Sequence, residues 1–268
     1  MEMQLPLPLR DFFMELCYLI LLLLIVSCSS LNKGNYDYSS LGELKEIDYI
    51  NHLSSAGADY LSYVETKEVK LNKDSIQFLT SIHERLMINN ERLLLQSTKP
   101  SFHVIANGTP FIFSLPGSQF FISKGLIEKY LKSEELFVAA LAAEVLKSDR
   151  NIYEKKIMIP LGFYNTEKII QLTRLKSEMK YQINEWTYFI LKRAGFDASA
   201  YLNWIQVQNR NTLDFSLYLG DATSISKEEY YFKNFMARQG VLGFERKINE
   251  ANSSKQFYKL LNNVVSLK

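Results

Sequence analysis

Apolar residues recur every three or four positions over most of the chain, and this spacing predicts amphipathic helices. Such stretches cover residues 41–64 and residues 73–95, and Asn72 can cap the second of them. A longer stretch covers residues 166–194, and Gly195 follows it where helices commonly stop. Shorter helices are expected beyond it, so the chain should be mostly helical.

One helix differs from the others, because apolar residues cover almost every face of it. It reads SEELFVAALAAEVLKSDR from Ser133 to Arg150; Ser133 can cap it, and Glu134 and Glu135 lie in its positively polarised first turn. A surface helix carries its apolar residues on one side only. We therefore expect the rest of the domain to enclose this helix, with Glu144 as a lone carboxylate inside its apolar stretch.

Three short stretches between residues 100 and 123 predict β-strands. They are FHVIAN after Pro100, the segment 111–113 and the segment 119–123, and turn residues separate them. We expect them to form a small antiparallel sheet packed beside the enclosed helix. The predicted fold class is therefore α+β, mostly helical, in one main domain with a helical carboxy-terminal extension.

An apolar run of about eleven residues, 16–26, lies near the amino terminus. It is shorter than a membrane span and has the usual length of a signal-peptide core. It ends in Ile25, Val26, Ser27 and Cys28, which resembles a bacterial lipobox, whose cysteine is lipidated and becomes the new amino terminus. The resemblance implies a signal peptide at 1–27, a polar tether at 28–40 and a domain at 41–268. The serine after Cys28 resembles outer-membrane sorting, so the expected place is the periplasmic face of a bacterial envelope.

A second interpretation of this segment stays open. The residues before the apolar run carry Arg10 as their only basic side chain, against three acidic ones, whereas a signal peptide normally begins with positive charge. Under this interpretation the run is an uncleaved apolar anchor, and Cys28 is an ordinary free thiol.

Charge and composition argue against several classes of function. The net charge of +2 comes from 31 basic and 29 acidic residues that are interspersed, so no basic block can follow a nucleic-acid backbone. Cys17 and Cys28 both lie within or beside the apolar run, which leaves the domain without an internal disulfide or a thiolate metal cluster. The histidines, His52, His83 and His103, are few for a metalloenzyme. We expect His83 to be a packing residue of its helix.

Three ordered segments carry a family resemblance. They read LPGSQFFISKGLI from residue 115, KSEELFVAALAAEVLK from residue 132 and KYQINEWTYFILKRAGFD from residue 180. They resemble segments of the zinc metallopeptidases of the HtpX and BepA type, metallopeptidase family forty-eight, which read roughly LPGGYIFVTRGLL, ELAAVLAHEIAHV and ExEADxxALxxLxRAGYDP. The resemblance covers about residues 71–205 and implies a gluzincin-like domain.

The departures from this family fall on its catalytic groups. Such a peptidase carries HExxH on its central helix, where two histidines bind zinc and the glutamate is the general base. This chain has Ala143, Glu144 and Lys147 at those positions, and the resemblance places Gln182 at the third ligand and Asn184 at a nearby aspartate. Ala143 has no lone pair, and Lys147 is protonated near neutral pH. We expect zinc to be lost, no metal or other cofactor to be bound, and the catalytic residues of the family mechanism to be absent.

The retained Glu144 needs a partner if it is buried, because an unpaired carboxylate in an apolar site is costly. One hypothesis places the ammonium of Lys147 where the metal would be, with Glu144 and Gln182 accepting its hydrogen bonds. Two alternatives stay open. Glu144 faces solvent in an open cleft, or it forms an ordinary surface pair with Lys147 at i, i+3.

Three functions follow from these observations. The first is a lipid-anchored, inactive peptidase homologue that binds extended peptides or envelope proteins as a chaperone or scaffold. Its candidate peptide-binding strand consists of Gln119, Phe120, Phe121, Ile122 and Ser123, and the competing interpretation is an ordinary packed strand. The second is an active hydrolase with a non-standard site that uses His83 or His103. The third is a purely structural envelope lipoprotein.

Overall fold

Helices and one small sheet make up the fold of the described chain. The structure is a computed structural model and describes residues 45–95, 98–156, 161–162, 164–240 and 252–266. The predicted signal peptide, the tether with Cys28 and the first residues of the predicted domain lie outside these ranges. Within the described residues, no helix combines the length and the apolar composition that crossing a membrane requires.

The elements follow one another with most helices after the sheet. In chain order they are α1 (Glu46–Ser62), β1 (Glu68–Val69), α2 (Lys73–Ile88), β2 (Ser101–Ile105), β3 (Ile112–Leu115), β4 (Gln119–Ser123), α3 (Lys124–Lys129), α4 (Glu134–Asp149), α5 (Thr166–Thr173), α6 (Ser177–Arg193), α7 (Ala200–Arg210), α8 (Ser216–Leu219), α9 (Ala222–Arg238) and α10 (Lys255–Ser266). The α+β, mostly helical class is confirmed.

The sheet is mixed, so the prediction of an antiparallel sheet is wrong. Its strand order is β1-β2-β4-β3. Strand β4 pairs with β3 in antiparallel fashion, with Phe121 opposite Phe113, and with β2 in parallel fashion, with Phe121 opposite His103. The chain reverses direction between β2 and β3 and again at the turn before β4. Two reversals restore the original direction, so β4 enters between its neighbours parallel to β2.

The enclosed helix is confirmed as α4. Every residue from Leu136 to Asp149 is buried, and the helix packs against β3, α6 and α7. Ser133 caps it as predicted, because its Oγ accepts a hydrogen bond from the amide of Leu136 at 3.2 Å. Burial of all its faces explains why no side of the helix needs a polar stripe.

The stretch 166–194 forms two helices, not the single one that its pattern predicts. Arg174 adopts an extended conformation between α5 and α6, with φ −66° and ψ 142°. Its guanidinium donates to the carbonyl oxygens of Tyr218, at 3.3 Å, and Leu217. These contacts come from a distant part of the chain, which explains why the local pattern does not reveal the break. The helix predicted over 73–95 also ends early, at Ile88.

The carboxy-terminal helices complete the core. Helix α9 packs on α6 and α7, and α10 packs on α2 and α3. Three apolar residues of α10, Phe257, Leu260 and Val264, are fully buried in this contact. Helix α4 is thus covered on several sides by the described elements.

Candidate functional site

A cleft reaches α4 between helices α5, α6 and α7, and encloses a cavity of about 60 Å³. From α4 it is lined by Ala143, Glu144 and Lys147. A cavity of this volume holds a few water molecules or the tip of a ligand. The residues that the family resemblance assigns to the HExxH motif therefore line one common space.

Helix α6 contributes Lys180, Ile183 and Asn184 to the same cleft. Residues three and four positions apart share one face of a helix, so Lys180 and Asn184 point to the same side. Gln182 lies between them in sequence and is exposed. The structure brings Asn184 to the cleft as the resemblance suggests, and it does not bring Gln182 there.

Glu144 and Lys147 form a buried ion pair. The ammonium of Lys147 donates to both carboxylate oxygens of Glu144, at 3.0 and 2.8 Å. Glu144 is 2% exposed and Lys147 is 7% exposed. The hypothesis that these two residues pair is confirmed, and the alternatives of an open, solvated Glu144 and of a surface pair are wrong. The part of the hypothesis that made Gln182 an acceptor is wrong, because Gln182 is exposed.

The sheet contributes a further hydrogen bond to this ion pair. Ser114 on β3 donates a hydrogen bond to Glu144 Oε2 at 2.8 Å, and the hydroxyl of Tyr153 lies 3.4 Å from Ser114 Oγ. Burial raises the pKa of Tyr153, and the negative charge of Glu144 raises it further. Glu144 therefore accepts hydrogen bonds from the ammonium of Lys147 and the hydroxyl of Ser114, and the hydroxyl of Tyr218 also interacts with it.

A second polar network faces the pair across the cleft. The hydroxyl of Tyr201 donates to Asn184 Oδ1 at 2.7 Å, and Asn184 Nδ2 donates to Glu228 Oε1 at 2.9 Å. Glu228 Oε2 lies 3.8 Å from the ammonium of Lys180. Burial raises the pKa of Tyr201 well above its ordinary value, and the charges of Glu228 and Glu144 add to this effect. The cleft thus contains two buried carboxylates, each held by protein donors.

The residues of the cleft do not fit a zinc ion of the family kind. Such a site needs three protein ligands with free lone pairs. Ala143 offers none, and the ammonium of Lys147 already donates to Glu144, the carboxylate that α4 contributes to the cleft. Over the described ranges, no group of three or more His, Cys, Asp or Glu side chains is placed to hold a metal ion.

The histidines lie away from this cleft. His83 is buried on α2 beside the rings of Phe102 and Phe120. His103 lies on β2, where its Nδ1 is 2.9 Å from Glu68. Neither residue lines the cleft. His83 thus has the position of the packing residue that we expected.

The buried His83 gives a test of stability against pH. Burial lowers its pKa from 6.5 to about 4. Between these two pH values the unfolded chain binds a proton that the folded chain does not, so stability falls as the pH falls through this window. The full effect is about 3 kcal/mol. We expect the His83→Met variant to lose less stability than the parent between pH 7 and pH 4, measured by urea denaturation. Equal losses in the two proteins would contradict the buried neutral imidazole.

The predicted peptide-binding strand is β4, and its surroundings do not suit that role. Residues Phe120 to Ser123 are buried, and β2 and β3 occupy both edges of the strand. Strand addition requires a free edge. The competing interpretation, an ordinary packed strand, therefore describes β4.

Sequence reasoning missed several residues of the cleft. Lys180 could have been found, because it lies one turn before Asn184 on the same helix face. Glu228 and Tyr201 carry no motif, and only the packing of α7 and α9 on α6 brings them to Asn184.

A comparison of the chain with protein-family models gives no match, and a comparison with curated proteins gives no match either.

Proposed function

We propose that this chain is an inactive relative of the zinc metallopeptidases of the HtpX and BepA type, with a gluzincin-like domain. It is lipid-anchored at Cys28 on the periplasmic face of a bacterial envelope, at the outer membrane, and acts there as a binding or scaffold protein. Three ordered sequence segments support the family, and the lipobox pattern supports the anchor.

One observation supports the loss of hydrolysis above all others. The ammonium of Lys147 lies within hydrogen-bond distance of both oxygens of Glu144. A general base must accept a proton from water, and a carboxylate that is held by an ammonium and a serine hydroxyl is poorly placed to do so. A cation of the protein takes the place that a metal cation would need beside this carboxylate.

The position of the cleft supports a binding role. Ala143 and Lys147 stand where the family carries its metal ligands, and the opening beside α4 is still present. The opening reaches a polar interior lined by aromatic side chains such as Tyr201, Trp204 and Tyr218. Apolar walls with a few placed polar groups are typical of ligand sites.

Metal analysis and a peptidase assay test this function together. We expect the purified mature chain to contain far less than one zinc ion per molecule, and to leave casein intact with or without added zinc. The expected result follows from the missing ligands at Ala143 and Lys147. Stoichiometric zinc that a chelator removes, together with casein cleavage that the same chelator abolishes, would overturn the proposal in favour of an active enzyme.

A further inference from the structure

The cleft beside α4 has more hydrogen-bond donors than its own acceptors use. A lysine ammonium has three hydrogens. Lys147 directs two of them to Glu144. Within the part of the chain that the structure describes, its third hydrogen has no acceptor. Helix α4 therefore offers one donor to a ligand.

Lys180 provides further donors from α6. Its ammonium lies 3.8 Å from Glu228 Oε2, which is too long for a hydrogen bond. No other acceptor among the described residues lies within bonding distance of this nitrogen. The side chain is 22% exposed and lines the cleft, so a ligand that enters from solvent can reach it.

Arg174 adds a positive charge that has no salt bridge among the described residues, although the charge of Glu167 acts on it from farther away. Its guanidinium uses Nε and Nη2 for the carbonyl oxygens of Tyr218 and Leu217, both of which are neutral. The residue lines the cleft between α5 and α6. The N–H groups of this guanidinium that those carbonyls do not use, on Nη1 and Nη2, are donors that it can offer to a carboxylate.

Three of the four carboxylate oxygens in the cleft already accept hydrogen bonds. Glu144 accepts from Lys147 twice and from Ser114, and Glu228 accepts from Asn184. Three cations and two carboxylates line the cavity in total. A ligand that complements this lining has to supply acceptors and negative charge.

The charge and the size of the cavity decide between kinds of anion. The three cations and two carboxylates leave the lining with one net positive charge, which a monoanion neutralises, whereas a dianion such as phosphate would leave a net negative charge in a buried space. Much of the remaining wall is apolar or aromatic, with Trp204, Leu175 and Ile183, and the polar residues Thr173, Asn184 and Gln208 also line it. The volume of about 60 Å³ admits a small charged group and leaves the rest of a ligand at the opening.

We propose that this cleft binds a carboxylate whose adjoining group is apolar, with Lys180 and Arg174 as the charged contacts and Lys147 as a further donor. The inference rests on the proposed function in taking the opening beside α4 as a binding site. The carboxylate has two sources, the carboxyl terminus of a peptide and a small organic acid.

Fluorescence of Trp204 measures this binding. The chain has two tryptophans, and Trp186→Phe leaves Trp204 in the cleft as the only reporter. In this background we would titrate N-acetyl-alanyl-leucine with a free carboxyl group, the same dipeptide as its carboxy-terminal amide, 3-methylbutanoate and inorganic phosphate. We expect the free dipeptide or 3-methylbutanoate to bind, and the amide and phosphate to bind at least about tenfold more weakly.

Substitution of Lys180 tests the contact itself. Lys180→Met should weaken carboxylate binding about tenfold or more, because a charged hydrogen bond is lost. The matched control is Lys176→Met, which removes an exposed lysine that pairs with Glu154 at 2.5 Å and should leave binding unchanged. Circular dichroism establishes that both variants fold.

Each outcome decides the inference. Tighter binding of the dipeptide acid than of 3-methylbutanoate identifies a peptide terminus, and the reverse identifies a small acid. Equal binding of acid and amide, tighter binding of phosphate, or no binding of any probe at about 10 mM overturns the carboxylate site. These results leave the proposed loss of hydrolysis untouched, because zinc content and casein cleavage measure that separately.

Discussion

Replacement of Lys147 by methionine is expected to lower the free energy of unfolding by about 3–5 kcal/mol. The substitution keeps the volume of the side chain and removes its charge, so Glu144 stays buried with only neutral hydroxyl groups, those of Ser114 and Tyr218, beside it. Removal of one partner from a buried ion pair leaves an uncompensated charge, and this accounts for the size of the loss. Urea denaturation followed by circular dichroism measures it.

The chain offers a matched control for this variant. Lys259 pairs with Asp74 at 2.8 Å, the same distance as the shorter contact of Lys147 with Glu144. Both side chains of the Lys259–Asp74 pair are exposed. Lys259→Met should leave the stability nearly unchanged, because solvent screens an exposed pair. The double variant Glu144→Leu with Lys147→Met should recover much of the loss, because it leaves no buried charge. A loss of less than about 1 kcal/mol for Lys147→Met would contradict a buried, coupled pair.

A chain with Ala143→His, Lys147→His and Lys180→Glu is expected to gain a zinc site. Residues 143 and 147 are one turn apart on α4, and residue 180 lines the same cleft from α6. Two imidazoles and a carboxylate then supply three ligands and leave one position open. We expect a Kd below about 1 μM by competition with a chromophoric chelator. At free zinc of about 100 times the Kd, the stability should rise by about 2.7 kcal/mol.

Two comparisons make this result interpretable. The parent chain should show no zinc-dependent change in stability, and Ala143→His alone, with one imidazole, should bind much more weakly. A triple variant that folds but takes up no more zinc than the single variant would show that these three positions do not converge.

The sequence predicts features of the fold correctly where these depend on residues that are close together in the chain. Asn72 and Ser133 cap their helices through the amides of Ser75 and Leu136, each three residues ahead. The enclosure of α4 also follows from its own composition, because a helix with apolar residues on all sides has to be buried on all sides.

The sequence does not predict features that depend on contacts between distant parts of the chain. The parallel pairing of β2 with β4 depends on where β3 lies in the sheet, and this position leaves no mark on the strands themselves. The break at Arg174 depends on carbonyl groups more than forty residues away. The motif spacing predicts Gln182 as the third ligand, whereas the helical repeat of α6 turns Lys180 and Asn184 to the cleft.

The sequence alone determined that Glu144 stands on an enclosed helix with Lys147 within reach, because spacing of three residues is a local property of an α-helix. It also shows that Ala143 and Lys147 stand four residues apart on this helix, at the positions where the proposed family would carry its two zinc-binding histidines. Only the tertiary structure decided that this pair is buried over Ser114, that β4 has no free edge, and that Lys180, Arg174 and Glu228 meet at one cleft. Helices and strands that are distant in sequence come together through the packing of the whole core, and no short segment contains that information.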